Sequence, residues 1–315
     1  MSKETLDANC ASGQRKQAKI FANNPDGWKL ALCWLKAMGG NRAHVCMEAT
    51  GRHSLGVALA LHDAGHVVSI VNPAQIRDFA RTKLGRNKTD KVDAALIREY
   101  VELFKPGQWA PPSVAMRRLC ELQTIRAGIV SNRAEWKNRS GSGLTDGTAI
   151  TLATATIEHF TAQLEAIDRA IKETIDQDVE LRGRRDLLLS VVGVGETLAA
   201  LLLTEMPEPG VLRRSGEVVA YAGLNPSHHR SGSSIDRPTR ISKVGNATLR
   251  SSLYMPALSA MRFNPAVAAL VARLKEAGRL KPKQIVVAAM RKLLVICFGV
   301  LKTGKPFDPA SAMPA

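Results

Sequence analysis

The chain has 315 residues, enough for two domains that each bury a core, and its 45% hydrophobic and 23% charged residues are a globular rather than a disordered balance. A net charge of +16 excludes an electrostatically indifferent surface. Residues 207–315 hold 17 Lys and Arg against 5 Asp and Glu, so this third carries +12 of the excess and is the end that would draw a polyanion, nucleic acid first.

The first hundred residues alternate between strand-like and helix-like patterns. Gln17 to Ala22 reads as a short strand. Trp28 to Met38 has helical spacing in Leu30, Leu32, Trp34 and Leu35, and Gly39-Gly40 closes it. Ala43 to Met47 is an apolar run ending at Glu48-Ala49-Thr50-Gly51. His53 to Ala64 is helical, and Val67 to Val71 is a β-branched run stopped by Asn72-Pro73. That order predicts an α/β layer with helices packed on a sheet. Thr89 is a good N-cap for a helix running to about Leu103.

The next segment is all-α. Leu119, Leu122, Ile125 and Ile129 share one helix face, and Ile157, Phe160, Leu164, Ile167 and Ile171 share another after the Gly/Ser break at 140–147. Two such helices form an antiparallel hairpin or coiled coil, either a spacer or a dimerisation arm. From about Arg184 the chain is mainly helical. Gly193-Val194-Gly195 between two apolar runs has the pattern of a helix-hairpin-helix, whose turn amides can hold a phosphate; a plain turn between core helices fits equally well, and the basic surroundings favour phosphate. The apolar run 284–301 is interrupted by Arg291 and Lys292 and reads as a buried helix rather than a membrane span. The cysteines Cys10, Cys33, Cys46, Cys120 and Cys297 form no CxxC pair and no zinc spacing, so they read as small core residues of a protein from a reducing cytoplasm. No secretory signal is recognised. At 4% aromatic residues, base stacking is not an evident binding mode.

Three carboxylates stand out by position. Glu48 sits where a buried strand gives way to a turn, and Asp90 and Asp93 share a face of one helix's first turn. The plainer reading of the aspartates is as N-terminal helix acids offsetting the dipole. With Glu48 beside them, a hard-cation site for Mg²⁺ is plausible, and two such ions about 4 Å apart serve phosphoryl transfer. A second constellation runs His228-His229-Arg230-Ser231-Gly232-Ser233-Ser234-Ile235-Asp236-Arg237, followed by Arg240 and Lys243. A small polar loop edged by arginines suits a DNA backbone. Its serines are turn residues until a base or metal singles one out as a nucleophile.

Taken in order, Cys46-Met47-Glu48-Ala49-Thr50-Gly51, Val71-Asn72-Pro73, Arg86-Asn87-Lys88-Thr89-Asp90 with Val92-Asp93-Ala94, Tyr221-Ala222-Gly223-Leu224, Ser231-Gly232-Ser233-Ser234, and Leu249-Arg250 leading to Tyr254-Met255-Pro256-Ala257 resemble the DEDD family of bacterial insertion-sequence transposases over nearly the whole chain. The resemblance implies an α/β plus all-α fold class. An RNase H-like (RuvC-like) domain would occupy residues 1–110, a helical coiled-coil linker 111–183, and a serine transposase domain 184–315. It places the family's second acid on Glu48, the third and fourth on Asp90 and Asp93, and the nucleophile on Ser231. It further implies Mg²⁺ on the acids, a phosphoserine link to DNA, and a composite site built by different subunits of a homodimer or homotetramer. A structured guide RNA would bridge donor and target DNA in the bacterial cytoplasm at the nucleoid, with Arg230, Arg237, Arg240, Lys243, Gly193 and Gly195 on nucleic-acid backbone and no membrane involved.

The family's first acid ends an opening strand just ahead of a stretch like Ser2-Lys3-Glu4-Thr5-Leu6-Asp7. By that resemblance the strand and its aspartate lie upstream of Met1, through a start codon set too late or decay of the element, and Asp7 matches a later, non-catalytic position. The 315-residue form is then expected to cut DNA poorly or not at all. Two other functions fit parts of the pattern. A RuvC-like junction nuclease needs the acids but not Ser231, and a non-catalytic DNA- or RNA-binding remnant needs neither.

Overall fold

The computed structural model describes residues 2–49, 51–83, 90–207, 210–231 and 235–312, with side chains for all of these except residues 52, 90–92, 228–231, 235–239 and 311–312. The chain is mostly helical with small two-stranded sheets, and it divides into two compact units, residues 1–112 and 113–315.

In the N-terminal unit, β1 (Thr5–Ser12) and β2 (Arg15–Ala22) form an antiparallel hairpin in which Thr5 faces Ala22. Helix α1 (Pro25–Ala37) follows, started by Asn24, whose side chain accepts from the Gly27 N–H, and by Pro25 in the first turn. Strand β3 (His44–Glu48), helix α2 (Arg52–Asp63) and strand β4 (Val67–Val71) make a parallel βαβ unit with Glu48 opposite Val71. Helices α3 (Pro73–Thr82) and α4 (Asp90–Phe104) complete the unit; the residue expected to cap α4, Thr89, lies outside the described residues. Leu6, Phe21, Leu35, Met47, Val57, Leu61 and Val68 form its main core.

The expected strands at Gln17–Ala22 and Val67–Val71 and the expected helices around Trp28–Met38 and His53–Ala64 are all present. The strand at Thr5–Ser12 was not foreseen. Its sequence alternates poorly, and only Leu6 is buried, so pairing with β2 rather than its own pattern makes it a strand.

The second unit opens with two long helices, α5 (Val114–Ser140) and α6 (Gly147–Gln177), packed as the antiparallel hairpin their spacing predicts. Arg126 ties them across the seam, its Nε donating to Asp168 Oδ1 at 2.6 Å. Leu119, Leu164, Ile167 and Ile171 at the hairpin's base join the core of the helices that follow. These are α7 (Val179–Leu189), α8 (Glu196–Glu205) and α9 (Ser215–Tyr221), then the antiparallel ribbon β5 (Pro226–Ser231) and β6 (Ile235–Ile241), then α10 (Ala247–Ser252), α11 (Tyr254–Phe263), α12 (Pro265–Glu276) and α13 (Pro282–Thr303). Among the described residues α13 alone is long and apolar enough to cross a membrane. It packs instead against α7, α9, α11 and α12, and Leu293, Leu294 and Cys297 on it are fully buried. Each such leucine contributes about 1.5–3 kcal/mol by burial. Desolvation pushes the Cys297 thiol up to about 12, as expected of a core cysteine.

Candidate functional site

Glu48 is the last residue of β3 and is half-buried, and Asp93 lies in the first turn of α4. Both line one cleft of about 760 Å³ in the N-terminal unit. A strand end is a rigid mount, because the ladder to β4 fixes the Glu48 backbone while its side chain leaves the sheet. Asp90 occupies the first position of α4, one turn from Asp93, and its side chain lies outside the described residues. No group of three His, Cys, Asp or Glu side chains suited to a metal converges among the described residues. Glu48 and Asp93 are nonetheless hard oxygen donors on one cleft, the donor chemistry that Mg²⁺ takes.

Cys46 lies two residues before Glu48. Burial first, and the Glu48 charge second, push its thiol up to about 11, which favours the protonated form. The cleft also holds a cation that sequence reasoning missed. Arg98, with only 11% of its side chain exposed, donates from Nε to Asn9 Oδ1 at 2.9 Å and from Nη1 to Glu102 Oε1 at 2.6 Å. The four-residue step from Arg98 to Glu102 was the available signal.

The predicted polar loop at 228–237 is instead built into the β5–β6 ribbon. Arg230 faces Asp236, His229 faces Arg237, Ser227 faces Arg240, and Ser231, paired with Ile235, ends β5; Gly232, Ser233 and Ser234 lie outside the described residues. Both strands are polar, so no burial pattern betrays them, and the ladder alone creates them. The register slips between Ser227 and His229, a bulge of the kind that re-aims side chains next to active sites. Arg240 and Lys243 are exposed.

Three segments clamp the end of this ribbon. Lys243 N–H donates to Gly223 O, Asn246 N–H to Tyr221 O, and Arg250 Nη1 to Ala222 O. Asn246 also caps α10 through Leu249 N–H and donates from Nδ2 to Glu205 Oε2 at 2.6 Å. The Tyr221–Leu224 stretch and Arg250 are thereby the frame that holds the basic loop after β6.

The helix pair expected around Gly193 exists as α7 and α8. Gly193 has φ +101°, and a Cβ there would stand 2.9 Å from the Cβ of Ala260, so its glycine serves close packing on α11. Gly195 is exposed and caps α8 without a side-chain bond, leaving the first amides of that helix for water or an anion. The turn is anchored by Asn264, fully buried, which donates from Nδ2 to Val192 O at 2.9 Å and accepts from Ala266 N–H and Val267 N–H. Asn264→Ala is expected to cost about 2 kcal/mol through the lost cap and the stranded Val192 carbonyl, read as a lower urea midpoint at unchanged slope.

Residues 1–147 match the model of a DEDD transposase family, and residues 185–272 match that of the transposase IS116/IS110/IS902 family. The chain is 33% identical over 312 residues to a pilin gene-inverting protein of Moraxella bovis, covering 98% of this chain and 96% of that one, and equally so to its namesake in Moraxella lacunata. It is 26% identical over 235 residues to the transposase for insertion sequence element IS1328 of Yersinia enterocolitica, covering 65% of this chain and 67% of the other. A likeness that runs from end to end, with the acids in one matched region and the basic ribbon in the other, makes this chain a member of the IS110 family of transposases, enzymes that recombine DNA.

Proposed function

We propose that this transposase breaks and rejoins DNA through a transient phosphoester on Ser231, with Glu48, Asp90 and Asp93 holding Mg²⁺. The observation that carries the reading is that Glu48 and Asp93 open on a single cleft from two rigid mounts. The near full-length relatives named for inverting a pilin gene support it, since inversion requires cut ends to be kept and rejoined. Ser231 Oγ attacks phosphorus, its proton passes to a base in the site, and one DNA hydroxyl end leaves. Attack by a DNA hydroxyl on the phosphoserine then rejoins the strand and returns the serine. When bound, Mg²⁺ neutralises the phosphate and eases departure of the leaving oxygen.

Residues 1–110 supply the acids and residues 184–315 the serine, from different subunits of a dimer or tetramer, with 111–183 as the spacing arm. An RNase H-like arrangement of the first segment fits the parallel β3–α2–β4 unit with an acid at the end of β3. Arg230, Arg237, Arg240 and Lys243 lie along nucleic-acid backbone, with the Gly193–Gly195 turn as a further phosphate contact, and base pairing by a structured RNA supplies most sequence choice.

The test is a denaturing gel of end-labelled DNA incubated with protein and Mg²⁺. A protein–DNA adduct that survives denaturation, weak because this 315-residue form is expected to cut poorly, and that disappears in Ser231→Ala is the expected result. Cleavage without an adduct, unchanged in Ser231→Ala, would mean hydrolysis by a junction nuclease; salt-sensitive binding with neither product would mean a binding protein. Arg240→Ala and Lys243→Ala are each expected to flatten the plot of log affinity against log salt by about 0.9 for duplex DNA, equally for all sequences. Fluorescence anisotropy between 50 and 200 mM salt measures it.

A further inference from the structure

The C-terminal unit has an open pocket of about 640 Å³ that neither the acids nor the ribbon line. It follows directly on the loop after β6, because Asn246, which ends that loop, caps α10. Pro256 has no N–H to offer the Ser252 carbonyl, so α10 and α11 are separate helices that meet at Leu253. Leu249 and Leu253 are fully buried and fix both helices to the core. At three- and four-residue steps the two helices carry Thr248, Arg250, Ser251 and Tyr254 to the pocket. Half-buried Val287 and buried Met290 of α13 supply the apolar part of its lining.

Two of these side chains lack the partners such groups ordinarily have. Arg250 donates from Nη1 to Ala222 O at 2.9 Å, and among the described residues no carboxylate pairs with it. A guanidinium has five N–H donors, so Arg250 keeps its charge and further donors beside the pocket. Tyr254 is 43% exposed, and among the described residues no ring stacks on it and no hydrogen bond holds its hydroxyl.

An uncompensated guanidinium, two hydroxyls, an unpartnered aromatic ring and an apolar surface in one pocket suit both halves of a nucleotide. Guanidinium takes phosphate bidentately, and hydroxyls add to the hold. A nucleobase stacks on an aromatic ring whatever its identity, because every base has a π-face. The volume lies within the roughly 300–1,000 Å³ of small-ligand sites. A paired duplex uses only half of this chemistry, since its bases are stacked on one another and offer no face to Tyr254. Recombination of DNA separates strands, so unpaired nucleotides arise in the reaction this family carries out.

We propose that this pocket holds one unpaired nucleotide, its base against Tyr254 and Met290 and its phosphate on Arg250, Thr248 and Ser251. The +12 carried by residues 207–315 draws the strand in. Arg240 on β6 and Lys243 in the loop that leads to α10 hold its backbone beside the pocket. The strand is exchanged DNA or RNA, because stacking and phosphate contacts are common to both. The proposal rests on nucleic-acid binding by this transposase and not on the chemistry of Ser231 or the acids.

The test titrates the full 315-residue chain, without Mg²⁺ so that no cleavage intervenes, against a labelled DNA duplex, the same duplex with one bulged nucleotide, and RNA versions of both. The wild type is expected to bind a bulged form tighter than its paired form by about tenfold or more. Tyr254→Ala is expected to abolish that preference while leaving affinity for the paired duplex within about twofold, and Tyr254→Phe, which keeps the ring, to retain it. A preference seen with DNA alone assigns the pocket to the exchanged strand, and one seen with RNA alone to an RNA loop; both support the proposal. Equal affinity for bulged and paired forms of both nucleic acids overturns it. So does a preference that survives Tyr254→Ala, or a proportional loss for paired and bulged forms, which would mean a general backbone contact. Should Tyr254→Ala fold poorly, 5-iodouracil placed at the bulge is a second measurement on the wild type. Its photo-cross-link is expected at Tyr254, and a cross-link confined to other segments overturns the proposal. None of these readings changes if the serine forms no adduct.

Discussion

Gly245→Ala is expected to destabilise the C-terminal unit by about 2–6 kcal/mol, the sum of a strained backbone and a steric collision. Gly245 has φ +137°, and a Cβ there would stand 2.3 Å from Tyr221 O, 2.9 Å from Gly223 N and 3.0 Å from Ala220 O. All three are backbone atoms at the end of α9, and none can swing aside as a side-chain tip would. The loop they touch carries Lys243 and leads through Asn246 into α10, so relief of the collision pulls the basic ribbon off its frame. Urea unfolding measures the loss, and DNA binding is expected to weaken with it. Gly216→Ala is the control, because Gly216 lies within α9 with open space around its Cα. That change is expected to be neutral or to stabilise by about 0.4–1 kcal/mol.

Glu48→Gln is expected to slow adduct formation about a thousandfold, equivalent to roughly 4 kcal/mol of transition-state stabilisation. The amide keeps the shape of the carboxylate and removes only its charge, which on the proposed reading would hold a cation against the phosphate. Stability is expected to change little, since Glu48 is half-buried at the end of a strand whose backbone bonds remain. Single-turnover accumulation of labelled adduct is the suitable readout, because it needs one event per molecule and detects slow chemistry. Asp93→Asn is expected to act in the same way, and the double variant to be little worse than either single one, because groups that hold one cation fail together. A Glu48→Gln protein that forms adduct at the wild-type rate would sink the assignment of the acids.

The elements that could be read from the chain are those whose pattern meets a core. The α1, α2 and α4 helices, the β3 and β4 strands and the α5–α6 hairpin each put apolar residues on one face, and the caps and glycines at their ends mark them off. The hairpin β1–β2 was only half visible, because Asp7, Asn9 and the exposed face of Arg15–Ile20 carry no alternation strong enough to mark both strands. The β5–β6 ribbon was invisible for a like reason, since a polar ribbon is defined by its ladder. In the candidate site, Glu48 was legible because a strand that runs into a Gly-containing turn ends at a definite residue. Arg98 was not, because its link to Asn9 joins residues 89 apart. Nor was the clamp of Tyr221, Gly223 and Asn246 on the basic loop, which depends on a backbone angle that tertiary contacts impose.

The hairpin of α5 and α6 sets a scale. At 27 and 31 residues, its helices are about 40 and 47 Å long. The base is embedded through Leu119 and Leu164, while Leu144, Ile150 and Leu152 at the far end are exposed. Such a rod is a cantilever whose span drifts independently of its footing. Adding or removing seven residues in each helix slides the free end by about 10 Å and turns it by only about 20°, so evolution can reset the separation of whatever it meets without rebuilding the core that grips it.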